Sequence, residues 1–500
     1  MSLKRKSLYT GLTKALNILL NFILQLIITP LILTGLGSGQ FGIYTLINKM
    51  QGYLAMVDLR PSAILRYKLA TLQKNDNIQI KKEYVGASIL ISLLILPIMI
   101  LLGWLLSLGF QDFFNISDSD ADLAAYAIIV ISIFMGVKSF LGIPEAIIRG
   151  NNLEYKTFFV DPIRMILYGI LVYTFLEKGF GLMGVISAII IAALIDFGLK
   201  FILQSYYLPG YAPAIPSKLK IKEFLGSGSW YMGSSFFSQV LNSFDVIMIG
   251  ALFGMTQVTI YALSRAILFR IAESISSITA GITSSIGQLI GTNRIDDLIN
   301  IRRLLFRVNI IIGFMVMSYF IIFNNFFISL WVGHSNFVGE QINMVFCITS
   351  FMVLLSLADE IFINSLHAFK EKTKVVFLTS IIAIFFAYLL SFYLGLIAIP
   401  LGLMIAKVYQ WLHYQNIINR HFSINVKEEI FNNSKIFVLL FLALFIKYTF
   451  HDILIATWFE FIIYSMLFVI VFVVICFVLI LKDNEKDYIK KLINRKFNNG

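Results

Sequence analysis

Charge is scarce in this 500-residue chain: Asp, Glu, Lys and Arg together make up 14% of it, against about a quarter in an ordinary soluble domain. That shortage, beside 58% hydrophobic residues, excludes a soluble enzyme core, a disordered chain and a fibrous protein. Cysteine is nearly absent. The two that occur, Cys347 and Cys476, lie inside apolar runs without a partner at disulfide or metal spacing, so neither a disulfide framework nor a zinc site is supported. Also missing are a nucleotide-binding glycine loop, a paired acidic metal motif, an ATP-binding domain and any connection long enough for a second soluble domain.

What is present is a series of apolar runs. About 290 hydrophobic residues, at roughly 20 per crossing, set an upper bound of about 14 transmembrane helices. The runs predict spans at 11–33, 42–64, 84–106, 123–143, 158–177, 181–204, 228–252, 257–284, 304–331, 339–365, 375–393, 396–417, 434–451 and 457–481. Their length and continuity point to helices, since a barrel needs short alternating segments. The basic Met1 to Lys6 stretch resembles a signal peptide, but the run behind it spans and lacks a cleavage pattern; an uncleaved first helix is expected.

The net charge of +12 has a distribution that tests the count. Cations gather in every second connection: Lys4, Arg5 and Lys6 before the first span; Arg66, Lys68, Lys74, Lys81 and Lys82 in the second connection; Arg149 and Lys156 in the fourth; Lys218, Lys220 and Lys222 in the sixth. Arg294, Arg302 and Arg303 follow in the eighth, Lys370, Lys372 and Lys374 in the tenth, Arg420 and Lys427 in the twelfth, and six more in the tail. The odd connections are nearly bare; the longest, 107–122, holds four aspartates and no cation, and only Lys178 interrupts the pattern. By the positive-inside rule both termini are cytoplasmic, and the basic balance points to loop placement rather than nucleic acid.

The chain also repeats itself. Leu36-Gly37, Ile43-Tyr44 and Leu46 recur as Phe253-Gly254, Ile260-Tyr261 and Leu263; Lys156-Thr157 recurs as Lys372-Thr373; Gly181-Leu182 recurs as Gly395-Leu396. The order is kept, at offsets of 217, 216 and 214. An all-α polytopic protein is expected, with two parallel pseudo-symmetric six-helix bundles, 1–215 and 216–425, around a central cavity. Two further helices (426–481) and a basic cytoplasmic tail (482–500) complete the expected layout.

The segment Leu36-Gly37-Ser38-Gly39-Gln40-Phe41-Gly42-Ile43-Tyr44 resembles the LG-x-x-x-[FY]-G-[IV]-Y turn of the multidrug/oligosaccharidyl-lipid/polysaccharide exporter superfamily, whose polysaccharide branch includes the Wzx-type O-antigen flippases. Asp58-Leu59 followed by Arg66 resembles that branch's D-L-G-[LI]…R segment, and Gly181-Leu182-Met183-Gly184-Val185 resembles its G-L-x-G-[AV] helix start. Arg60 and Pro61 depart from it, standing where the family has glycine and an apolar residue. The resemblance implies a bacterial cytoplasmic-membrane flippase for an undecaprenyl-diphosphate-linked glycan, working beside a polysaccharide polymerase and chain-length proteins among membrane lipids. Coupling to H+ or Na+ is implied, with no cofactor and no catalysis.

Moving a diphosphate through hydrocarbon requires buried cations, and ionisable residues inside spans are functional candidates by default. The second and eighth helices carry Lys49, Arg265 and Arg270 at similar heights; the 217 offset places Arg265 on Asn48, beside Lys49. With Lys407 in the twelfth helix these are the candidate substrate-binding cations. Asp245, Asp359, Glu360 and Glu273 are candidates for ion coupling; Asp245 pairing with Arg265 or Lys49, and Glu273 with Arg270, are the structural alternatives. Asp161 and Arg164 have the spacing to pair on the fifth helix, while Lys14, Arg60, Lys138, Lys200 and Arg307 sit near cytoplasmic ends where long side chains snorkel. Lys447 and Glu460 belong to the appended helices, with structural or peripheral roles expected. Pro30 and the glycines after it supply a bend for gating or a plain helix end.

Three competing functions stand beside the flippase. A drug/cation antiporter would carry an acidic or apolar cavity, a lipid II flippase a similar cationic one, and a membrane polymerase or glycosyltransferase a substantial outer loop or domain.

Overall fold

The computed structural model describes residues 3–57, 60–72, 77–114, 116–279, 286, 289–290, 294–366, 368–422 and 455–480. Every regular element among them is helical. Chain contacts divide it into two compact units, Met1–Thr259 and Ile260–Gly500. Nine helical stretches among the described residues are long and apolar enough to cross a membrane, two of which, Leu16–Ala55 and Phe369–Phe422, are long enough for two crossings each. The described part of each predicted span is largely helical; 434–451 lies outside the described residues, as do 58–59, 280–284 and 481 of three other spans.

In the first unit α1 runs over Leu3–Val57 and is interrupted at Gly37, whose φ 71°, ψ 170° is non-helical; Pro30 sits within the helix, so the expected bend is seven residues later than the proline. This conformation is essentially restricted to glycine. Gly254, the repeat partner of Gly37, separates α9 (Lys218–Phe253) from α10 (Met255–Thr279) with φ 85°, ψ 172°. Gly181 and Gly395, another repeated pair, both have positive φ. At Gly37, Gly254 and Gly395 the repeated motifs therefore mark places where the backbone turns in a way that favours glycine.

The predicted 42–64 span is interrupted before its end, at Arg60. Arg60 takes a left-handed φ of 47°, and Pro61 opens the short helix α2 (Pro61–Thr71), so the Arg-Pro departure marks a helix boundary. Proline suits the first helical position because it has no N–H to leave unbonded there. Leu65 and Leu69 of α2 are buried in a core with Tyr84, Val85 and Ile91 of α3 (Ile78–Leu108). The helix α4 (Phe110–Phe114) leads into α5 (Asp118–Leu141), whose first turn holds Asp118 and Asp120, a placement the helix dipole favours. α6 (Ile143–Gly150), α7 (Val160–Glu177) and α8 (Gly181–Tyr207) complete the unit together with α9, which packs along α1.

Contacts inside this unit sort its connections by face. In the sixth connection, Ala214 N–H bonds to Lys82 O of α3 at 3.1 Å and the Tyr211 hydroxyl donates to Asn151 Oδ1 of the fourth at 2.7 Å. The odd connections meet each other: Gln40 donates to Asp120 at 2.9 Å, and Thr259, just beyond the seventh connection, to Ser38 O at 2.6 Å. Even and odd connections thus form separate groups, as alternate crossings require.

In the second unit α11 (Ile295–Val332) packs on α12 (Glu340–Ser365), which also contacts α14 (Ala398–Phe422). α13 (Phe369–Leu394) lies against α14 where Gly402 leaves no space for a Cβ beside Ala383 and Ala387, the close backbone approach expected of small residues in membrane helix pairs. α15 (Trp458–Ile475) docks on α11 through Phe461 and Phe468 against Tyr319, Phe323 and Phe327. Its N-terminus is closed by a capping box in which Thr457 and Glu460 bond each other's backbone. Exposed large side chains on α3 and α13, such as Leu94, Leu101, Phe385 and Phe392, suit lipid rather than water.

Candidate functional site

The second half of α1 approaches α9 closely: a Cβ on Gly52 would overlap the Gln239 side chain, and Tyr53 OH donates to Val240 O at 3.4 Å. Here Lys49, half-buried, reaches the Asn242 carbonyl at 3.5 Å. Asp245 lies one turn further along α9 and is fully buried, its carboxylate accepting the Val246 N–H at 2.8 Å. A cation and an acid from the predicted set are thus brought to one helix contact.

Arg265 is held differently. It is buried, with its guanidinium 4.4 Å from the Phe269 ring centre and 5.4 Å from that of Tyr261, whose hydroxyl accepts from Nη1 at 3.5 Å. Aromatic faces of this kind partly replace the hydration a buried cation loses. The preceding residue fixes the helix. Ser264 O accepts from Asn324 of α11 at 2.9 Å, and Asn324 also donates to Asn343 of α12 at 2.7 Å. Ser264 Oγ takes the Val338 N–H at 2.9 Å. Arg270 is exposed on α10. The side chain of Glu273 lies outside the described residues, as do those of Lys14, Asp58 and Lys447.

Lys407 is half-buried on α14 and donates to Gln410 at 2.9 Å, which in turn donates to Tyr414 at 3.0 Å. Glu360 accepts from Lys372 at 2.8 Å, and Lys372 bonds Asn364 as well. Asp359 is fully buried against an equally buried Arg302, whose Nε and Nη2 lie 3.0 and 2.9 Å from Oδ1. Gln415 of α14 closes the triangle, accepting from Arg302 at 2.8 Å and donating to Asp359 Oδ2.

Arg302 was expected in a cytoplasmic connection, and its burial is a correction. The helix starts at Ile295, nine residues before the predicted span, because Asp296 and Asp297 occupy its first turn and favour a helix N-terminus there. Lys200 is a second correction: it does not snorkel. It is buried among three carboxylates, 2.8 Å from Glu145, 3.0 Å from Asp196 and 3.3 Å from Asp161. Arg164 turns to Asp196 at 3.8 Å, so the expected Asp161–Arg164 pair is replaced by contacts to α8.

The two clusters correspond in the repeat. Glu145 precedes Lys156 by 11 residues and Asp359 precedes Lys372 by 13; Lys200 follows Gly181 by 19 and Gln415 follows Gly395 by 20. Each half therefore ties the end of its fourth helix to its sixth through an acid. Its cation comes from the sixth helix in the first unit and from α11 in the second.

Residues 11–286, more than half of the chain, match the family described as polysaccharide biosynthesis protein. The chain belongs to this family. No curated protein matches it significantly. This polysaccharide biosynthesis protein has the fold of the MOP superfamily transporters. It is similar to the lipid II flippase MurJ in an inward closed conformation, with TM-score 0.69 and 13% identity over 94% of this chain and 98% of that one. It is also similar to an inward-facing multidrug resistance MATE family transporter (0.64, 15%, 79% and 95%). A third similar structure is a Pyrococcus furiosus MOP superfamily transporter described by the reverse polarity of its binding pocket (0.50, 15%, 83% and 94%). Family, fold and apolar helices together make it a multi-pass membrane protein.

Proposed function

We propose that this protein is a flippase that moves a polyprenyl-diphosphate-linked oligosaccharide repeat unit across the bacterial cytoplasmic membrane by alternating access, with both termini cytoplasmic. The observation that carries the reading is the family match combined with the MOP fold. Buried or half-buried cations inside membrane helices add to it, because an anionic diphosphate needs them while a cationic drug does not. For the similar Pyrococcus furiosus transporter, reverse polarity of the binding pocket is described as suggesting a different function, a precedent for pocket polarity varying within the fold.

In this reading Lys49, Arg265, Arg270 and Lys407 bind the diphosphate. Coupling to H+ or Na+ falls to Asp245, buried one turn from the Lys49 contact. Asp359 and Glu360 instead hold helices together through Arg302 and Lys372, and Glu273 remains a candidate partner of Arg270. A polysaccharide polymerase and chain-length proteins are the expected partners.

The test is deletion and complementation, measuring surface polysaccharide and cytoplasmic-side lipid-linked repeat units together. The flippase predicts loss of polymer and accumulation of the lipid-linked unit; normal polymer in the deletion strain would refute it. Likeness to MurJ favours a second reading, export of lipid II, which predicts lipid II accumulation and lysis with unchanged surface polysaccharide. Among point variants, Lys49→Gln, Arg265→Gln and Arg270→Gln are each expected to reduce export several-fold, roughly the effect of losing one charge contact, at normal protein levels. Normal export by all three would remove these cations from the site.

A further inference from the structure

Lys407 lies well inside α14, about 14 Å along the axis from the start of the helix and about 22 Å from its end at 1.5 Å per residue. Lysines near helix ends are drawn out to the headgroups; this one is too deep for that. Its Nζ donates to Gln410 Oε1 at 2.9 Å, and Gln410 Nε2 donates to the Tyr414 hydroxyl at 3.0 Å. Spacings of three and four put these side chains on one face of the helix. An ammonium donates and never accepts, so Gln410 must turn its carbonyl oxygen to Lys407, which leaves its amide nitrogen for the phenol oxygen. Gln410 and Tyr414 are buried at 6% and 0% exposure, whereas Lys407 is half-buried. The buried pair fixes the ammonium, and part of the Lys407 surface stays open.

Other buried or half-buried cations meet carboxylates. Arg302 is bonded to Asp359, Lys372 to Glu360, and Lys200 to Glu145, Asp161 and Asp196. Among the described residues no carboxylate pairs with Lys407: Glu360, whose charge acts on it through space, is bonded to Lys372. A glutamate at position 410 has the length to reach the same ammonium and would cancel its charge. Stability alone would favour that exchange, because a charge without an opposite partner is costly inside a membrane bundle. The neutral amide instead supplies an acceptor that holds the ammonium and leaves its charge to act on an anion.

We infer that Gln410, held by Tyr414, is a positioning residue that fixes the Lys407 ammonium without cancelling its charge, leaving that charge for the diphosphate of the substrate. Lys407 belongs to the substrate-binding cations in the reading proposed above, on which this role rests. Position 410 must therefore accept a hydrogen bond and carry no charge. Tyr414 acts one step further back, holding the amide nitrogen so that the oxygen stays on Lys407.

Undecaprenyl diphosphate carries the charge common to both substrates considered above, and undecaprenol is its uncharged counterpart. Binding of each to the purified full-length protein, read by native mass spectrometry, tests the role without requiring transport. The wild type is expected to prefer the diphosphate. Lys407→Gln and Gln410→Glu should each weaken diphosphate binding about five-fold or more, Gln410→Met about three-fold and Tyr414→Phe about two-fold, with undecaprenol binding unchanged. Gln410→Glu is the decisive variant, since glutamate accepts the same bond and would be harmless if the glutamine merely braced the helix. Its thermal midpoint should equal or exceed that of the wild type. Lys374→Gln, which shifts the net charge equally at an exposed position of α13, should bind as the wild type does. Weak binding by Lys407→Gln beside wild-type binding by Gln410→Glu overturns the positioning role and leaves the substrate reading standing. Wild-type binding by both removes Lys407 from the site and the role with it, as does a wild type without preference for the diphosphate. Equal loss in Lys374→Gln also overturns the role. If Gln410→Glu does not elute as a monodisperse protein, Gln410→Met carries the comparison, and undiminished diphosphate binding by it is the refuting result.

Discussion

Arg302 and Lys200 do the same work with different exposure to water. The Arg302–Asp359 pair is completely buried and hydrogen bonded on both sides by Gln415. The carboxylates around Lys200 keep 17% to 31% of their side-chain surface exposed. Removing one member of a buried pair leaves an uncompensated charge, at a cost of about 3–5 kcal/mol. Arg302→Met is therefore expected to lower the thermal midpoint of the purified protein steeply. Combining it with Asp359→Leu should recover most of the loss, leaving Gln415 as the remaining unsatisfied group. Lys200→Met should cost less, about 1–3 kcal/mol, because water reaches the three carboxylates. The ordering of these two single variants in one melting series is the check; a larger loss at Lys200 would contradict this account of the two clusters.

At the scale of the element, the glycines of the repeat separate backbone conformation from packing. A Cβ on Gly37 or Gly254 would meet no atom within 4 Å, yet both glycines have positive φ and an extended ψ. Gly37→Ala and Gly254→Ala are expected to destabilise by about 1–3 kcal/mol through strain alone. Gly39→Ala is the control: that position is helical and equally open, so alanine there should be neutral or stabilising by up to about 1 kcal/mol. Gly42→Ala differs again, since its Cβ would overlap the Met255 carbonyl, a backbone clash rather than conformational strain. Thermal melts of the four variants distinguish these causes. The same elements show what could be read beforehand. Apolar runs located the helices because lipid-facing side chains such as Leu94 and Phe385 must be hydrophobic, and the glycine repeat was visible because only glycine takes its backbone angles. The helix ends were not legible: α6 and the start of α11 extend past the apolar runs on polar residues that satisfy one another. Glu145 and Arg302 were missed for that reason, although Asp296 and Asp297 carried the signal of an earlier helix start. Asp245 and Arg265 were legible as buried charges, but sequence spacing gave no means of finding the Phe269 ring or the Asn324 bond that position Arg265.

For the whole molecule, the alternation of connections can be tested independently of transport. Within the first unit the even connections bond to one another or to adjoining helix ends, as do the odd ones. In the proposed topology the even set is cytoplasmic, the side that the positive-inside rule expects for loops rich in lysine and arginine. The native Cys347 and Cys476 are both buried, so single cysteines added at exposed positions supply nearly all the signal for a membrane-impermeant maleimide. Asp112→Cys and Ser335→Cys, in the third and ninth connections, are expected to label in cells whose outer face is accessible. Arg66→Cys, Ser217→Cys and Lys370→Cys should label only after the membrane is opened. Ala456→Cys decides the helix count. It precedes α15 and follows the predicted 434–451 span, so it labels from outside if that segment crosses and from inside if it does not. Fourteen crossings require external labelling at Ala456; internal labelling would leave thirteen and place the C-terminus outside. The six lysines and arginines from Lys482 to Lys496 then become the discriminating charge, because an external tail so basic would run against the concentration of lysine and arginine in the even connections, which Lys178 alone interrupts.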